Sequence, residues 1–227
     1  MRALVVAAGD PPARAALDFA WPGWADGVGL VIAADAGATT ADRLGLWLDL
    51  AVGDFDSIGP GELERLRAAG IAVEVAPSAK DESDTELAVR AALARGADAL
   101  TVIGGLGGRP DHLAANIALL ALPELAGMPA ELLDGSTRVG LVRPGHEREL
   151  AGRVGDIVSL IPLGPDVDGV STVGLAWPLD GEPLELGPAR GLSNVRVMPV
   201  ARVSVRSGIV VVIESVAPTA TSDTLPE

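Results

Sequence analysis

The chain of 227 residues contains no cysteine, which excludes disulfide frameworks, thiol nucleophiles and Cys-ligated zinc or iron–sulfur sites together. Two histidines are too few for a His-rich metal site. Long hydrophobic runs are missing as well: the longest stretches without an ionisable side chain are 11 residues, 113–123 and 169–179. Spanning a bilayer takes roughly 20, so no transmembrane helix is predicted. The apolar start, Leu4-Val5-Val6-Ala7-Ala8, runs at once into Gly9-Asp10-Pro11-Pro12 with no cleavage pattern after it. It reads as a first buried strand and not as a signal peptide, and the protein is expected in the cytoplasm. Positive charge is scarce, with 17 basic against 31 acidic side chains and a net charge of −14. Such a surface repels a phosphate backbone or an anionic membrane, so neither is expected as a partner. Lysine is almost absent; Lys80 stands alone among 16 arginines.

What is present reads as a packed globular protein. Gly and Pro, 28 and 17 residues, stay below the roughly 25–30% that marks low complexity. Short uncharged runs at 4–8, 30–34, 50–52, 71–73 and 100–103 have the character of parallel strands buried on both faces. Segments 61–69, 84–95 and 112–122 between or after them read as helices. This alternation predicts an α/β fold, an open and mostly parallel sheet with helices on both faces. Beyond about residue 127 the helical period gives way to short alternating stretches at 137–143, 154–161, 169–175, 183–187 and 201–213, the last interrupted by Ser207-Gly208. These predict a C-terminal all-β sandwich. The expected organisation is therefore 1–128 as an α/β nucleotide-binding unit, 129–216 as a β-sandwich, and 217–227 as a tail.

Ligands of open α/β sheets lie beyond the carboxyl ends of the strands. Three of these ends carry chemistry. Strand 30–34 is followed by Asp35-Ala36-Gly37; strand 50–52 by Gly53-Asp54-Phe55-Asp56-Ser57; strand 100–103 by Gly104-Gly105-Leu106-Gly107-Gly108-Arg109-Pro110-Asp111-His112. A fourth group, Lys80-Asp81-Glu82-Ser83-Asp84, precedes a helix that meets the same edge. Aspartates gathered on one crest repel each other unless a cation is present, and Mg²⁺ is commonly held by one or two carboxylates plus substrate phosphates. Asp54 and Asp56, two residues apart, point the same way if the backbone between them is extended. The glycine loop admits close approach by an anion, and the Arg109 guanidinium at its end can fork onto phosphate oxygens. Together these predict a Mg-nucleotide site. Each element also has a plainer reading: Asp35 and Asp111 as helix caps, 54–57 as a solvated turn, the glycine loop as a tight turn, His112 as a structural histidine and Lys80 as an exposed side chain. The loop is not of Walker A type, because no Lys-Ser/Thr follows it.

Gly53-Asp54-Phe55-Asp56-Ser57-Ile58, Lys80-Asp81-x-x-Asp84-x-Glu86-Leu87-Ala88 and Gly104-x-x-Gly107-Gly108-Arg109-x-Asp111-His112-x-x-x-Asn116 together resemble the thiamine pyrophosphokinase family. Later segments, Val158 to Leu163, Gly174-Leu175-x-Trp177-Pro178-Leu179 and Ser193-Asn194, are similar to that family's C-terminal β module in the same order. Two positions depart from its pattern: Ala36 where Gly is more usual, acceptable if its φ is negative, and Ser83 where Thr is frequent, which keeps the hydroxyl.

The resemblance implies transfer of pyrophosphate from ATP to the hydroxyethyl oxygen of thiamine, with Mg²⁺, giving thiamine diphosphate and AMP. It implies Asp54, Asp56 and Asp84 as metal ligands, with Arg109 and Asp111 beside them in catalysis. Asp35, Lys80, Asp81, Gly107, Gly108, His112 and Asn116 would join Arg109 in holding ATP. It also implies a homodimer in which Ser193 and Asn194 of the β module meet thiamine. Trp177 is either a stacking wall for the vitamin or, as a Trp in a β module more often is, core packing. Three other readings remain at this point: a haloacid-dehalogenase-type phosphohydrolase, suggested by Asp54-x-Asp56 after a strand; a pyrophosphokinase for another vitamin or a pterin alcohol; and a non-catalytic thiamine or nucleotide sensor.

Overall fold

The computed structural model describes residues 1–56 and 58–217, so Ser57 and the tail beyond Ala217 lie outside the described residues. Two compact units divide the chain, Met1–Leu141 and Val142–Glu227.

The first unit alternates strand and helix: β1 (Arg2–Val6), α1 (Arg14–Ala20), β2 (Val28–Ala34), α2 (Gly37–Arg43), β3 (Leu50–Gly53), α3 (Pro60–Ala68), β4 (Ala72–Val75), α4 (Asp84–Ala94), β5 (Ala99–Ile103) and α5 (Pro110–Leu119), followed by β6 (Ala130–Leu133) and β7 (Thr137–Val142). Strands β1, β2, β3 and β4 pair in parallel in that sequence, while β5 adds to the other side of β1 and β6 to β5; β7 turns back antiparallel on β6. The chain thus builds outward from β1 in one direction as far as β4 and returns through α4 to build in the other. Because such crossovers are right-handed, the reversal puts α4 on the face opposite α1, α2 and α3. Its apolar stripe, Ala88, Val89 and Ala92, is fully buried and packs on β1, β2 and β3. Strand β1 sits in the middle of this sheet, and Ala3, Leu4, Val5 and Val6 are all 0% exposed. Each fully buried aliphatic side chain of this size contributes about 1.5–3 kcal/mol, which is why a strand with no polar face is stable here.

The second unit contains β8 (Glu147–Ala151), β9 (Ile157–Pro162), β10 (Ser171–Val173), β11 (Asn194–Val195), β12 (Val200–Ser204) and β13 (Val210–Ser215). Two antiparallel sets form, β11-β9-β13 and β10-β12-β8. Alternate residues of both sets, among them Leu150, Val158, Leu160, Ala201, Val203, Val210 and Val212, meet in one core. This is the layered packing that the period-two pattern predicts. A buried ion pair crosses that core, Arg196 to Glu214 at 2.6 Å with both side chains no more than 3% exposed.

Two elements differ from the sequence reading. Residues 130–141, grouped by pattern with the β module, belong to the first unit, because β6 continues the parallel ladder of β5 and the Asp134 turn folds β7 onto it. Segment 183–187 is no strand: apart from the Leu184 N–H donating to the Val167 carbonyl it runs irregularly, with Leu184 alone of its side chains inserted in the core.

Candidate active site

The sheet reverses its order of construction between β1 and β5, and at such a switch point the loops leaving adjacent strands part to leave a crevice. A cavity of about 560 Å³ lies there, lined by residues that follow β1 (Ala7–Asp10), β2 (Asp35), β3 (Asp54) and β5 (Gly104 and Gly107–Arg109), and by the start of α4. The β1 and β5 loops are laced together. Ala7 N–H donates to the Ile103 carbonyl at 2.8 Å and Gly9 N–H to the Gly104 carbonyl at 3.0 Å. Gly9 allows the second contact: a Cβ there would lie 2.4 Å from Gly104 O.

At the centre is Lys80. Its ammonium donates to Asp84 Oδ1 at 2.7 Å and to Asp54 Oδ2 at 3.4 Å, and only 12% of its side chain is exposed, so the default of a solvated lysine does not hold. Burial opposes the charge, but the two carboxylates outweigh it and hold the Lys80 pKa above the ordinary amine value. Asp54 is pushed below the usual carboxylate range, first by the Asp56 N–H that it accepts at 3.2 Å and further by Lys80. Asp84 opens α4 next to its cap, Ser83, whose Oγ accepts the Glu86 N–H at 3.1 Å. The Ser83-x-x-Glu86 spacing thereby fixes the first turn of the helix and with it the place of Asp84.

The predicted trio Asp54, Asp56 and Asp84 does not assemble. Among the described residues no three acidic or histidine side chains lie close enough together to hold one ion. The cause lies in the residue between the first two. Phe55 has φ 59° and a buried ring, so the backbone turns where an extended one was needed; Asp56 is exposed and its N–H bonds back to Asp54. Asp81 is exposed outside the cavity.

Asp35 is not the cap of α2, which is Ala36 with φ −62°, negative as the alanine requires. Asp35 itself is 3% exposed with φ 48° and lines the cavity. Among the described residues the non-glycine positions with positive φ are Asp35, Phe55 and Ser193, each within a motif singled out by sequence. A left-handed residue of this kind costs on the order of 1–3 kcal/mol, and such strain concentrates at functional sites.

Arg109 ends the glycine loop and caps α5, with Pro110 at the first helical position. Asp111 grips it with both oxygens, Nε to Oδ1 at 3.1 Å and NH2 to Oδ2 at 2.6 Å, and both residues are exposed. That pairing raises the Arg109 pKa and lowers that of Asp111. Asp111 therefore orients Arg109. His112 borders the cavity, and Asn116, 7% exposed, donates through Nδ2 to the Gly105 carbonyl at 2.9 Å, so it supports the loop from beneath.

Asp10 was missed by sequence reasoning. Its Oδ2 accepts the Gly108 N–H at 2.9 Å, and Gly107 packs so tightly on it that a Cβ there would be 2.6 Å from Asp10 Cβ. The loop after β1 carries Asp10 just as the loop after β2 carries Asp35, so the strand-end rule extended to β1 finds it. Glu82 also lines the cavity, so five carboxylates face two cations, Lys80 and Arg109.

In the second unit a cavity of about 380 Å³ is lined by Leu160, Trp177, Leu179, Arg190 and Asn194, among others. Trp177 is 63% exposed, so it is not core packing. Ser193 is exposed, and its N–H donates to Ser159 Oγ at 3.0 Å. Asn194 is 8% exposed and turned toward the backbone of Trp177.

An α/β unit with a charged crevice at its switch point, followed by a β-sandwich with an aromatic-edged cavity, describes a phosphate-transferring enzyme with a separate module for its second substrate. Comparison with known proteins makes this specific. The family model described as thiamin pyrophosphokinase, catalytic domain, matches residues 24–129, and that described as thiamin pyrophosphokinase, vitamin B1 binding domain, matches 146–210. The thiamine pyrophosphokinase of Bacillus subtilis is 30% identical over 193 residues, 85% of this chain and 90% of that one. The crystal structure of a Bacillus subtilis thiamine pyrophosphokinase superposes with a TM-score of 0.82 at 29% identity, covering 96% of this chain and all of the other. A family protein from Enterococcus faecalis gives 0.81 at 28%, again covering 96% of this chain and all of the other. The chain belongs to the thiamine pyrophosphokinase family. These relatives do not favour the phosphohydrolase alternative. No helix among the described residues is long and apolar enough to cross a membrane.

Proposed function

We propose that this chain transfers the β,γ-pyrophosphoryl group of ATP to the hydroxyethyl oxygen of thiamine, in the cytoplasm and as a homodimer. The oxygen attacks the β-phosphorus, the bond from that phosphorus to the α,β-bridging oxygen breaks, AMP leaves, and the hydroxyl proton passes to solvent. The observation that carries the reading is Lys80 held between Asp54 and Asp84 at a switch-point crevice that also presents the Gly107-Gly108-Arg109 loop. A polyanionic nucleotide entering beside five carboxylates and two cations needs added positive charge, and carboxylate oxygens are the donors Mg²⁺ prefers. Asp54 and Asp84 would hold it, with Asp56 supporting Asp54 through its N–H. Bound there, such an ion would supply neutralisation of phosphate charge.

The chain's own groups do the rest by positioning and electrostatics. Lys80, charged throughout the neutral range, offers its ammonium to phosphate oxygens. Arg109, preset by Asp111, offers a planar fork at the end of the glycine loop, whose place is set by Asp10 through the Gly108 N–H. A loose, metaphosphate-like transition state demands little of the attacking alcohol, so no general base is assigned. Thiamine, cationic and aromatic, suits the second unit's cavity, where the exposed Trp177 stands ready to cover a ring and Arg190 is neutralised by its ion pair with Glu182. Incubation with ATP, Mg²⁺ and a panel of vitamin and pterin alcohols tests the proposal. Thiamine diphosphate is the expected product; consumption of a different alcohol, or tight thiamine binding without turnover, would refute it.

A further inference from the structure

We infer that Asn194 acts through Trp177: it is a positioning residue that holds the tryptophan at the edge of the second unit's cavity and does not itself contact the vitamin. The inference rests on the proposed thiamine cavity and departs from the role that sequence resemblance implies for Asn194. Three hydrogen bonds carry it. Asn194 Oδ1 accepts the N–H of Trp177 at 3.0 Å and that of Val195 at 2.9 Å, while Nδ2 donates to the Trp177 carbonyl at 2.6 Å. Both oxygen lone pairs are thus engaged, and the amide has one N–H left. Its orientation is fixed by its partners, since the opposite placement would set an NH2 group against two backbone N–H donors.

The amide takes the place of a neighbouring strand. Just before Trp177 the chain pairs with its neighbour in ordinary fashion: Ala176 N–H donates to the Val195 carbonyl at 2.8 Å, and Leu175 bridges Arg196. At Trp177 the side chain of Asn194 continues that ladder. Such support is needed because the Trp177 ring, 63% exposed, has no core to seat it and can be placed only through its backbone. Asn194 in turn is held inward. Ser193 before it takes the strained left-handed φ of 57°, and Arg196 after it is anchored to Glu214 in the unit's core. A residue 8% exposed that gives its oxygen and one N–H to the backbone is poorly placed to recognise a ligand, whereas an exposed indole face is well placed to cover an aromatic cation.

A double-mutant cycle separates the two roles. W177A is expected to raise the thiamine KM about 2- to 30-fold, the range for a lost cation–aromatic contact, with the ATP KM unchanged. N194A should raise the thiamine KM by a comparable factor, and the double variant should be no worse than W177A within about twofold, because Asn194 has nothing left to position. If N194A adds its full factor to W177A, Asn194 touches the vitamin directly and the inference is overturned, although the cavity assignment stands. If W177A leaves thiamine KM and Kd unchanged, the cavity assignment fails and takes the inference with it. A readout independent of activity uses protein labelled with 5-fluorotryptophan, the Trp177 line being assigned from its loss in W177F. In N194A, or in N194D should the alanine variant fold poorly, that line is expected to shift and broaden in the ligand-free protein. An unmoved line in a folded variant would overturn the clamp.

Discussion

Replacing Gly9 by alanine tests whether the crevice between β1 and β5 is where the chemistry happens. A Cβ at Gly9 would lie 2.4 Å from Gly104 O and 3.1 Å from Gly107 O, and both obstacles are backbone. Ordinary contact begins near 3.4 Å, so the two loops must separate by about 1 Å. That breaks the Gly9–Gly104 hydrogen bond and carries the Gly107-Gly108-Arg109 segment with it. Misplacing a phosphate-orienting group by 1 Å costs on the order of 100-fold in rate, whereas one strained surface loop costs the fold only about 1–3 kcal/mol. We therefore expect kcat/KM for Mg-ATP to fall about 100-fold in a protein that still melts cooperatively. Gly61→Ala supplies the control. Gly61 lies in α3 with nothing within 4 Å of its added methyl, so that variant should keep full activity and gain roughly 0.5–1 kcal/mol from helix propensity. Steady-state kinetics and thermal melts of the two variants decide the matter. Activity of Gly9→Ala within about threefold of wild type would refute the placement of the phosphate loop.

Asp54→Asn should abolish turnover while leaving the thermal transition intact, and EDTA should silence the wild type; activity within about tenfold at saturating Mg²⁺ would remove Asp54 from the metal site. Arg109→Ala should act on ATP more than on thiamine, raising the ATP KM or lowering kcat with thiamine KM unchanged, as initial-rate kinetics will report. Asp10→Ala should speed amide exchange at Gly108 and raise the ATP KM by a few-fold, about 3- to 10-fold, whereas Asp10→Asn, which keeps an acceptor oxygen, should do neither. Sedimentation at working concentration should give twice the chain mass; a fully active monomer would contradict the proposed dimer.

Strands β1, β2, β3 and β5 were legible because burial on both faces leaves no charged residue in the run, whereas β4, an exposed strand carrying Glu74, showed only through the uncharged residues at its start. Strand β6, Ala-Glu-Leu-Leu, carries a glutamate and alternates at its start, so it read as part of the β module although it pairs in parallel with β5. The two-residue β11 has no periodicity to read; it exists because Arg196 and the Asn194 amide pin its neighbours. At the site, residue types and their common edge were legible in the loops after the strands, and Asp35, Asp54, Lys80, Asp84, Arg109 and His112 do line one cavity. Direction was not legible. The turn at Phe55 that removes Asp56 from the cavity depends on burying an aromatic ring with a left-handed backbone, which no spacing rule anticipates. The same holds for Asn194, whose residue type suits a ligand contact and a backbone clamp equally well, and for Trp177, which the base tendency of tryptophan puts in the core and the structure puts at the surface.

The most direct measurement traces the phosphorus. With ATP labelled separately at the α, β and γ positions, thiamine and Mg²⁺, the proposed transfer predicts that the β and γ labels enter one thiamine product together. The α label should appear as AMP, in equal amount. Release of γ-labelled orthophosphate, with label trapped covalently on Asp54, would contradict it and return the site to the phosphohydrolase reading.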